Sequence, residues 1–299
     1  MQTDQRLTQA YRNARIETID KDSKIVFMSD CHRGNGSSSD EFSRNQNAFV
    51  YALYHYLDLG YTYVEAGDGD ELWEYKFKDI KLAHEDAFSV MRLFHKNNRL
   101  IMMIGNHNIF MNNQDYVTKN LFTSYDKYSE TVHELLNHVK PIEALVLKVK
   151  ETGQEIFVVH GHQGDFNNDQ NWFMSMLSLR YFWRFMHAFG FHNPASPVRN
   201  VQRRHKIEKN YNKWIEKHQM MLICGHTHRY KYPKLTELPY FNTGCCIYPT
   251  SLTAIEIENG EIMLGQWRTI VNLEGVLQIV REIIRGPVPL TKFDLRNRE

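Results

Sequence analysis

The chain has 299 residues, 42% of them hydrophobic and 24% charged, which is the balance of an ordinary globular protein large enough for one α/β domain with insertions or for two smaller ones. With 36 basic and 35 acidic side chains the net charge is +1, so no bulk basic field points to nucleic acid. There is no run of about 18 apolar residues to cross a membrane and no apolar h-region in the polar opening stretch, which gives the cytoplasm as the expected location.

Residues 1–23 read as a polar lead-in with helical character, followed by a short buried strand at 24–29 and a flexible Gly/Ser loop at 33–39. Helical spacing at 44–59 puts Phe49, Leu53, Tyr56 and Leu57 on one face. A second strand is expected at 61–66, an amphipathic helix at 81–97 and a third strand at 100–104, an alternation that implies a largely parallel sheet. Residues 113–137 read as helical, and 144–149 with 156–159 as a hairpin around Glu151-Thr152-Gly153. The segment 165–219 changes character. Large apolar side chains crowd 172–191, Pro194 and Pro197 follow, and a basic helix then carries Arg199, Arg203, Arg204, Lys206, Lys209 and Lys213. Strands at 240–243, 251–258 and 261–267, the last two joined by an Asn259-Gly260 type I′ turn, are expected as a second layer beside the first sheet. A final amphipathic helix is expected at 273–284, ending before Gly286-Pro287.

Five short blocks rich in metal-ligand side chains follow five of the apolar runs: Asp30-Cys31-His32, Gly67-Asp68, Gly105-Asn106-His107, His160-Gly161-His162 and Gly225-His226-Thr227-His228. Loops at the carboxyl ends of neighbouring strands meet in one crevice. Imidazole with carboxylate suits manganese, iron, zinc or nickel, and a set this large exceeds one tetrahedral ion and suits two metals sharing a carboxylate. We expect Asp30, His32 and His228 to hold one ion and Asn106, His160 and His226 the other, with Asp68 bridging. Two metals about 3.5–4 Å apart generate a hydroxide nucleophile near neutral pH and neutralise phosphoryl charge. His107 points beside the metals and is the candidate general acid for the leaving alkoxide. Cys31 and Cys224 read as small buried residues in strand-ending loops, and four cysteines in a chain of this length do not make a disulfide framework.

Taken together these blocks resemble the calcineurin-like metallophosphoesterase superfamily, whose pattern runs D-x-H, G-D, G-N-H-D/E, H and G-H-x-H; the match spans about residues 25–230. The resemblance implies an α/β fold, a four-layer β-sandwich flanked by helices, with a dinuclear site at the strand ends, and it supports the roles above, including His107 as acid. Two departures stand out. The family usually carries an acidic residue after the histidine of the third block, where this chain has Asn108, so protonation of the leaving group is expected to be weaker or to use another group. His160-Gly161-His162 offers two histidines where one is needed, and the resemblance favours His160, with His162 as an outer contact.

The expected organisation is a single domain over 1–299 with 165–219 as a helical cap insertion. Its aromatics could form a packed helical hairpin, a dimer seam, a peripheral membrane contact, or the wall of a cap that holds a substrate with an apolar part and phosphates. The cap looks like the lid of the UDP-2,3-diacylglucosamine pyrophosphohydrolases, although those enzymes carry G-N-R-D where this chain has Gly105-Asn106-His107-Asn108. The expected activity is hydrolysis of a phosphate ester or phosphoanhydride with two divalent transition metals, manganese first, then iron or zinc. The substrate is a phosphorylated small molecule, lipid or protein. Alternatives are a pyrophosphohydrolase acting on a nucleotide-lipid, a protein serine/threonine phosphatase, and a non-catalytic scaffold on the same fold.

Overall fold

Four-residue apolar runs such as Ile25–Met28 become strands here because both faces of each are covered. Within that strand Ile25 and Phe27 face one core while Val26 and Met28 face another. The structure, a computed structural model, describes residues 2–126, 129–165, 176–177 and 201–297. Of the expected cap, 166–175 and 178–200 lie outside the described residues, and with them most of its aromatics, both prolines and Arg199.

The fold is mixed α/β. Helix α1 (Gln2–Arg12) leads into β1 (Arg15–Ile19) and β2 (Ile25–Met28). Then come α2 (Gln46–Asp58), β3 (Thr62–Glu65), α3 (Phe77–Ala83), α4 (Glu85–Lys96) and β4 (Leu100–Met102). The middle holds α5 (Gln114–Leu121), β5 (Thr123–Asp126), β6 (Thr131–Glu134), β7 (Ala144–Val149) and β8 (Glu155–Val159). Last are α6 (Val201–His218), β9 (Met221–Cys224), β10 (Tyr240–Asn242), β11 (Ser251–Glu258), β12 (Glu261–Val271) and β13 (Leu277–Pro289).

Two larger sheets form, in the orders β1-β7-β8-β9-β10 and β13-β12-β11-β2-β3-β4. Strands β2, β3 and β4 are parallel, as are β8, β9 and β10, and β7–β8 is the expected antiparallel hairpin. One core lies between the sheets, built from Phe27, Val64 and Ile101 on one side and Ile156, Val158 and Ile223 on the other. A second packs Phe49, Leu53, Phe88 and Phe94 of α2 and α4 on the larger sheet, and a third packs Leu7, Tyr211, Trp214 and Ile215 of α1 and α6 on the smaller one.

Five expectations are corrected. Strands β11–β13 extend the sheet of β2–β4 through β11–β2 pairing, and the second layer is built instead by β1 and β7–β10. Strand β1, inside the polar lead-in, was not expected; its pairing with β7 supplies what its sequence pattern lacks. The helix expected at 81–97 is two helices broken at His84, whose ring is held by Asp40 and Gln46 outside helical geometry. Within 113–137 only α5 is helical, capped by the Asn113 side chain, and the β-prone Thr123, Tyr125, Thr131 and Val132 form the β5–β6 hairpin. The helix expected at 273–284 is β13. The Asn272 side chain accepts from the N–H groups of Glu274 and Val276 and Gly275 takes φ +79°, closing a turn that returns the chain along β12.

Candidate metal centre

The five ligand blocks leave the carboxyl ends of β2, β3 and β4 in one sheet and of β8 and β9 in the other, so they converge where the two sheets share a rim. Asp30, His32, Asp68, His226 and His228 all adopt positive φ, between 46° and 66°. Such backbone is uncommon outside glycine, with Asn, Asp and His the side chains that adopt it most readily, and its concentration in five Asp and His residues at one rim marks a functional site. Glycines make the room. A Cβ on Gly105 would fall on Asp68 Oδ1, and one on Gly225 would fall on Ser29 and Asp30.

Three overlapping groups bring ligand atoms within 4.8 Å of one another: Asp30, His32 and His228; His32, Asp68 and His107; Asp68, His160 and His226. His228 Nε2 lies 3.1 Å from Asp30 Oδ1 and 3.0 Å from His32 Nε2. Asp68 Oδ2 lies 3.0 Å from His160 Nε2 and 3.9 Å from His32 Nε2, which sets this carboxylate between the two outer groups. The backbone holds both acids in place: the N–H of His226 donates to Asp30 Oδ2 at 2.9 Å and that of His107 to Asp68 Oδ1 at 2.8 Å.

Ring orientation is what fits the site to cations. Metal-bound histidines anchor one ring nitrogen on an oxygen and turn the other inward. His160 Nδ1 lies 3.0 Å from the Ala66 carbonyl, His32 Nδ1 lies 2.8 Å from Glu71, and His226 Nε2 lies 3.5 Å from Asp165. The other ring nitrogen of His160 faces Asp68 Oδ2 at 3.0 Å and that of His32 faces His228 Nε2 at 3.0 Å. Asn106 is only 1% exposed, yet among the described residues neither its Oδ1 nor its Nδ2 has a hydrogen-bond partner. A buried amide without partners costs about 1–3 kcal/mol, a cost that ligation through Oδ1 would offset.

Burial opposes ionisation of the two acids, but the imidazoles prevail. Asp30 is held well below the usual carboxylate range by His228 and His160, and Asp68 likewise by His160 and His107. Against the effect of burial, Asp68 and Asp30 push His160 up to about 9, and contacts with Asp30 and Glu71 raise His32. Burial itself lowers His226. Carboxylates drawn this strongly to the ionised state attract positive charge, as imidazole protons or as cations.

His107 lies beside the outer groups with its Nδ1 2.7 Å from Glu71 Oε1 and its ring stacked on Trp73 at 4.2 Å. Glu71 therefore holds both His32 and His107; burial would raise its carboxyl, and these two imidazoles keep it at about 2. Asn108 instead braces the loop, its Oδ1 accepting from the Gly105 N–H at 2.6 Å. The partner that the third block lacks comes from the loop after β3. Reasoning from sequence missed Glu71, Trp73 and Asp165; the signal was a second and third acid, Asp70 and Glu71, in the turn that opens with Asp68. Burial would likewise raise Asp165, but His226 and Arg203 hold it at about 2, and it forms an ion pair with Arg203. Among the described residues the ligand groups include His160, while the ring of His162 lies 5.6 Å from that of His160. Cys224 is buried and its thiol is pushed up to about 12, the behaviour of a structural cysteine.

No family model and no curated protein matches the chain in sequence. Among solved structures it is similar to a cold-active protein-tyrosine phosphatase of a psychrophile Shewanella species, at 11% identity and TM-score 0.43, covering 91% of this chain and 83% of that one. It is also similar to Chaetomium thermophilum Vps29, at 9% identity and TM-score 0.38, covering 88% and 93%. Likenesses this distant carry no functional weight. Among the described residues, no helix is long and apolar enough to cross a membrane.

Proposed function

We propose that this chain hydrolyses a phosphate ester or phosphoanhydride with two divalent transition metals, manganese first and iron or zinc as alternatives. The observation that carries the reading is the run of three overlapping carboxylate–histidine groups, linked through His32 and Asp68, in which His32 and His160 each rest one ring nitrogen on an oxygen and turn the other toward the cluster. Asp30, His32 and His228 would hold one ion, Asn106, His160 and His226 the second, and Asp68 both. Bound there, the ions supply Lewis acidity, neutralising phosphoryl charge and making water a stronger acid.

The chain's own groups do the rest. Asp68 fixes the N–H of His107 and so sets the acid against the ligand cluster. Glu71 accepts from His107 Nδ1, which leaves Nε2 as the nitrogen that gives a proton to the leaving oxygen. The layering of helices outside two sheets, with ligands at the shared rim, fits the metallophosphoesterase sandwich that the motif order resembles. In this reading 1–299 is one domain and 165–219 its cap. Four unpaired cysteines suit a reducing compartment such as the cytoplasm.

Purified protein with added Mn²⁺ should cleave an aryl phosphate mono- or diester. Asp68→Asn or His226→Ala should remove nearly all of that activity. Metal analysis finding less than about one ion per chain after Mn²⁺ addition would contradict the proposal. A panel of phosphoserine peptides, cyclic nucleotides, nucleotide-sugar lipids and small monoesters then identifies the substrate class.

A further inference from the structure

The loop after β3 does more than deliver the candidate bridging ligand Asp68. Arg33 clamps it: the Arg33 N–H donates to the Gly69 carbonyl and the Arg33 carbonyl accepts from the Glu71 N–H. The Arg33 guanidinium, fully buried, donates to Asp70 and Glu65. The chain then closes a tight turn, with the Tyr75 N–H donating to the Glu71 carbonyl at 3.0 Å. Glu71 and Trp73 therefore leave a fixed backbone, and both reach the same partner, His107.

Each removes a different freedom from that ring. The Glu71 carboxylate holds Nδ1 at 2.7 Å, but one hydrogen bond fixes a point and leaves the imidazole able to swing about it. The indole of Trp73 lies against the imidazole face, with centroids 4.2 Å apart and planes 22° from parallel. Swinging the imidazole out of its plane means breaking that stack. Trp73 is only 3% exposed, so the indole is itself held by its surroundings. On another side the ring of His32 meets His107 edge-on, at 4.6 Å and 84°.

We propose that Trp73 is a positioning residue for the reaction: its indole sets the plane of His107, and so the direction in which Nε2 presents a proton to the leaving oxygen. This rests on the reading of the chain as a phosphoester or phosphoanhydride hydrolase with His107 as its acid. Glu71 fixes where the ring is tethered, and Trp73 fixes which way it faces. Asn108, the neighbour of His107 along the chain, is turned to the Gly105 N–H instead, so both orienting groups come from the β3 loop.

The test compares Trp73→Met, which fills much of the volume without a ring face, with Trp73→Phe, which keeps a smaller face. The substrates are phenyl phosphate, whose leaving oxygen needs a proton, and nitrophenyl phosphate, whose leaving oxygen does not. With Mn²⁺-loaded protein, Trp73→Met should lower kcat on phenyl phosphate by about 10–100-fold, the scale of a misaimed catalytic group, with KM little changed. The nitrophenyl ester should lose only a few-fold, and Trp73→Phe should recover most of the loss on phenyl phosphate. A double-mutant cycle separates orientation from support: with His107→Ala already in place, adding Trp73→Met should cost nothing further on phenyl phosphate. If Trp73→Met does not fold, the same cycle run with Trp73→Phe decides, on a several-fold loss in place of the larger one. Equal losses on the two esters, no loss on either, or full additivity in the cycle overturns the positioning role and leaves the hydrolase reading standing. A metal-loaded wild type that cleaves neither ester overturns both.

Discussion

Glu71 holds the candidate acid His107. Its carboxylate reaches His107 at 2.7 Å and His32 at 2.8 Å, so one side chain links the candidate acid to a candidate ligand. General acid catalysis contributes about 10²–10⁴-fold, and most where the leaving group is a poor one. Glu71→Gln should therefore slow hydrolysis of an alkyl phosphate far more than that of a nitrophenyl phosphate; equal losses on the two would show that Glu71 serves only the metal. Gly105 makes a second prediction at this scale. A methyl group there would collide with Asp68 Oδ1, and loss of such supporting geometry typically costs about 10–100-fold in metal affinity. Calorimetric Mn²⁺ titration of Gly105→Ala should show that weakening, and unchanged affinity would mean that Asp68 does not ligate. The gathering of Asp30, His32, Asp68, His160, His226 and His228 was legible in the sequence because each follows an apolar run and strand ends converge. Glu71 and Asp165 were not: which carboxylate supports which imidazole depends on how loops from different strands cross, and spacing along the chain does not encode that.

At the scale of elements, the misread segments share a cause: local pattern was outvoted by a contact distant in sequence. The helix expected over 81–97 breaks because His84 is claimed by Asp40 and Gln46, each about forty positions away. In β13, Ile279, Val280, Ile283 and Ile284 fit a helical stripe as well as a strand, and pairing with β12 settled the matter. Asp40 is the more telling case for stability. It caps the turn Glu41–Arg44, accepts from the Gly36 N–H at 2.8 Å and meets His84 at 2.7 Å. Burial would raise its carboxyl, but His84 and the Gly36 N–H lower it overall. Because the folded value lies below the unfolded one, its contribution is complete above a pH of about 4 and is lost as pH falls through the folded value. Asp40→Asn should cost about 1–2 kcal/mol at neutral pH, the scale of a lost cap, and should flatten the fall in stability below pH about 4. Urea unfolding at pH 7 and pH 3 checks both, and an equally steep fall in the variant would contradict the assignment.

For the molecule as a whole, two sheets with helices outside them place the ends of β2, β3, β4, β8 and β9 along one rim. The ordering of blocks along the sequence anticipated the convergence, and a second layer was expected from the strands at 240–267, but which strands join which sheet was not legible, since strands buried on both faces read as continuous apolar runs. What the fold delivers is three overlapping carboxylate–histidine groups at one rim, and everything chemical proposed for the chain depends on two ions standing there. The most direct test is a crystal structure of the Mn²⁺-loaded protein with anomalous scattering measured at the manganese edge. Two peaks are predicted, one bounded by Asp30, His32, His228 and Asp68 and the other by Asp68, Asn106, His160 and His226. A single peak, none, or a second ion held by His162 in place of His160 would contradict the arrangement.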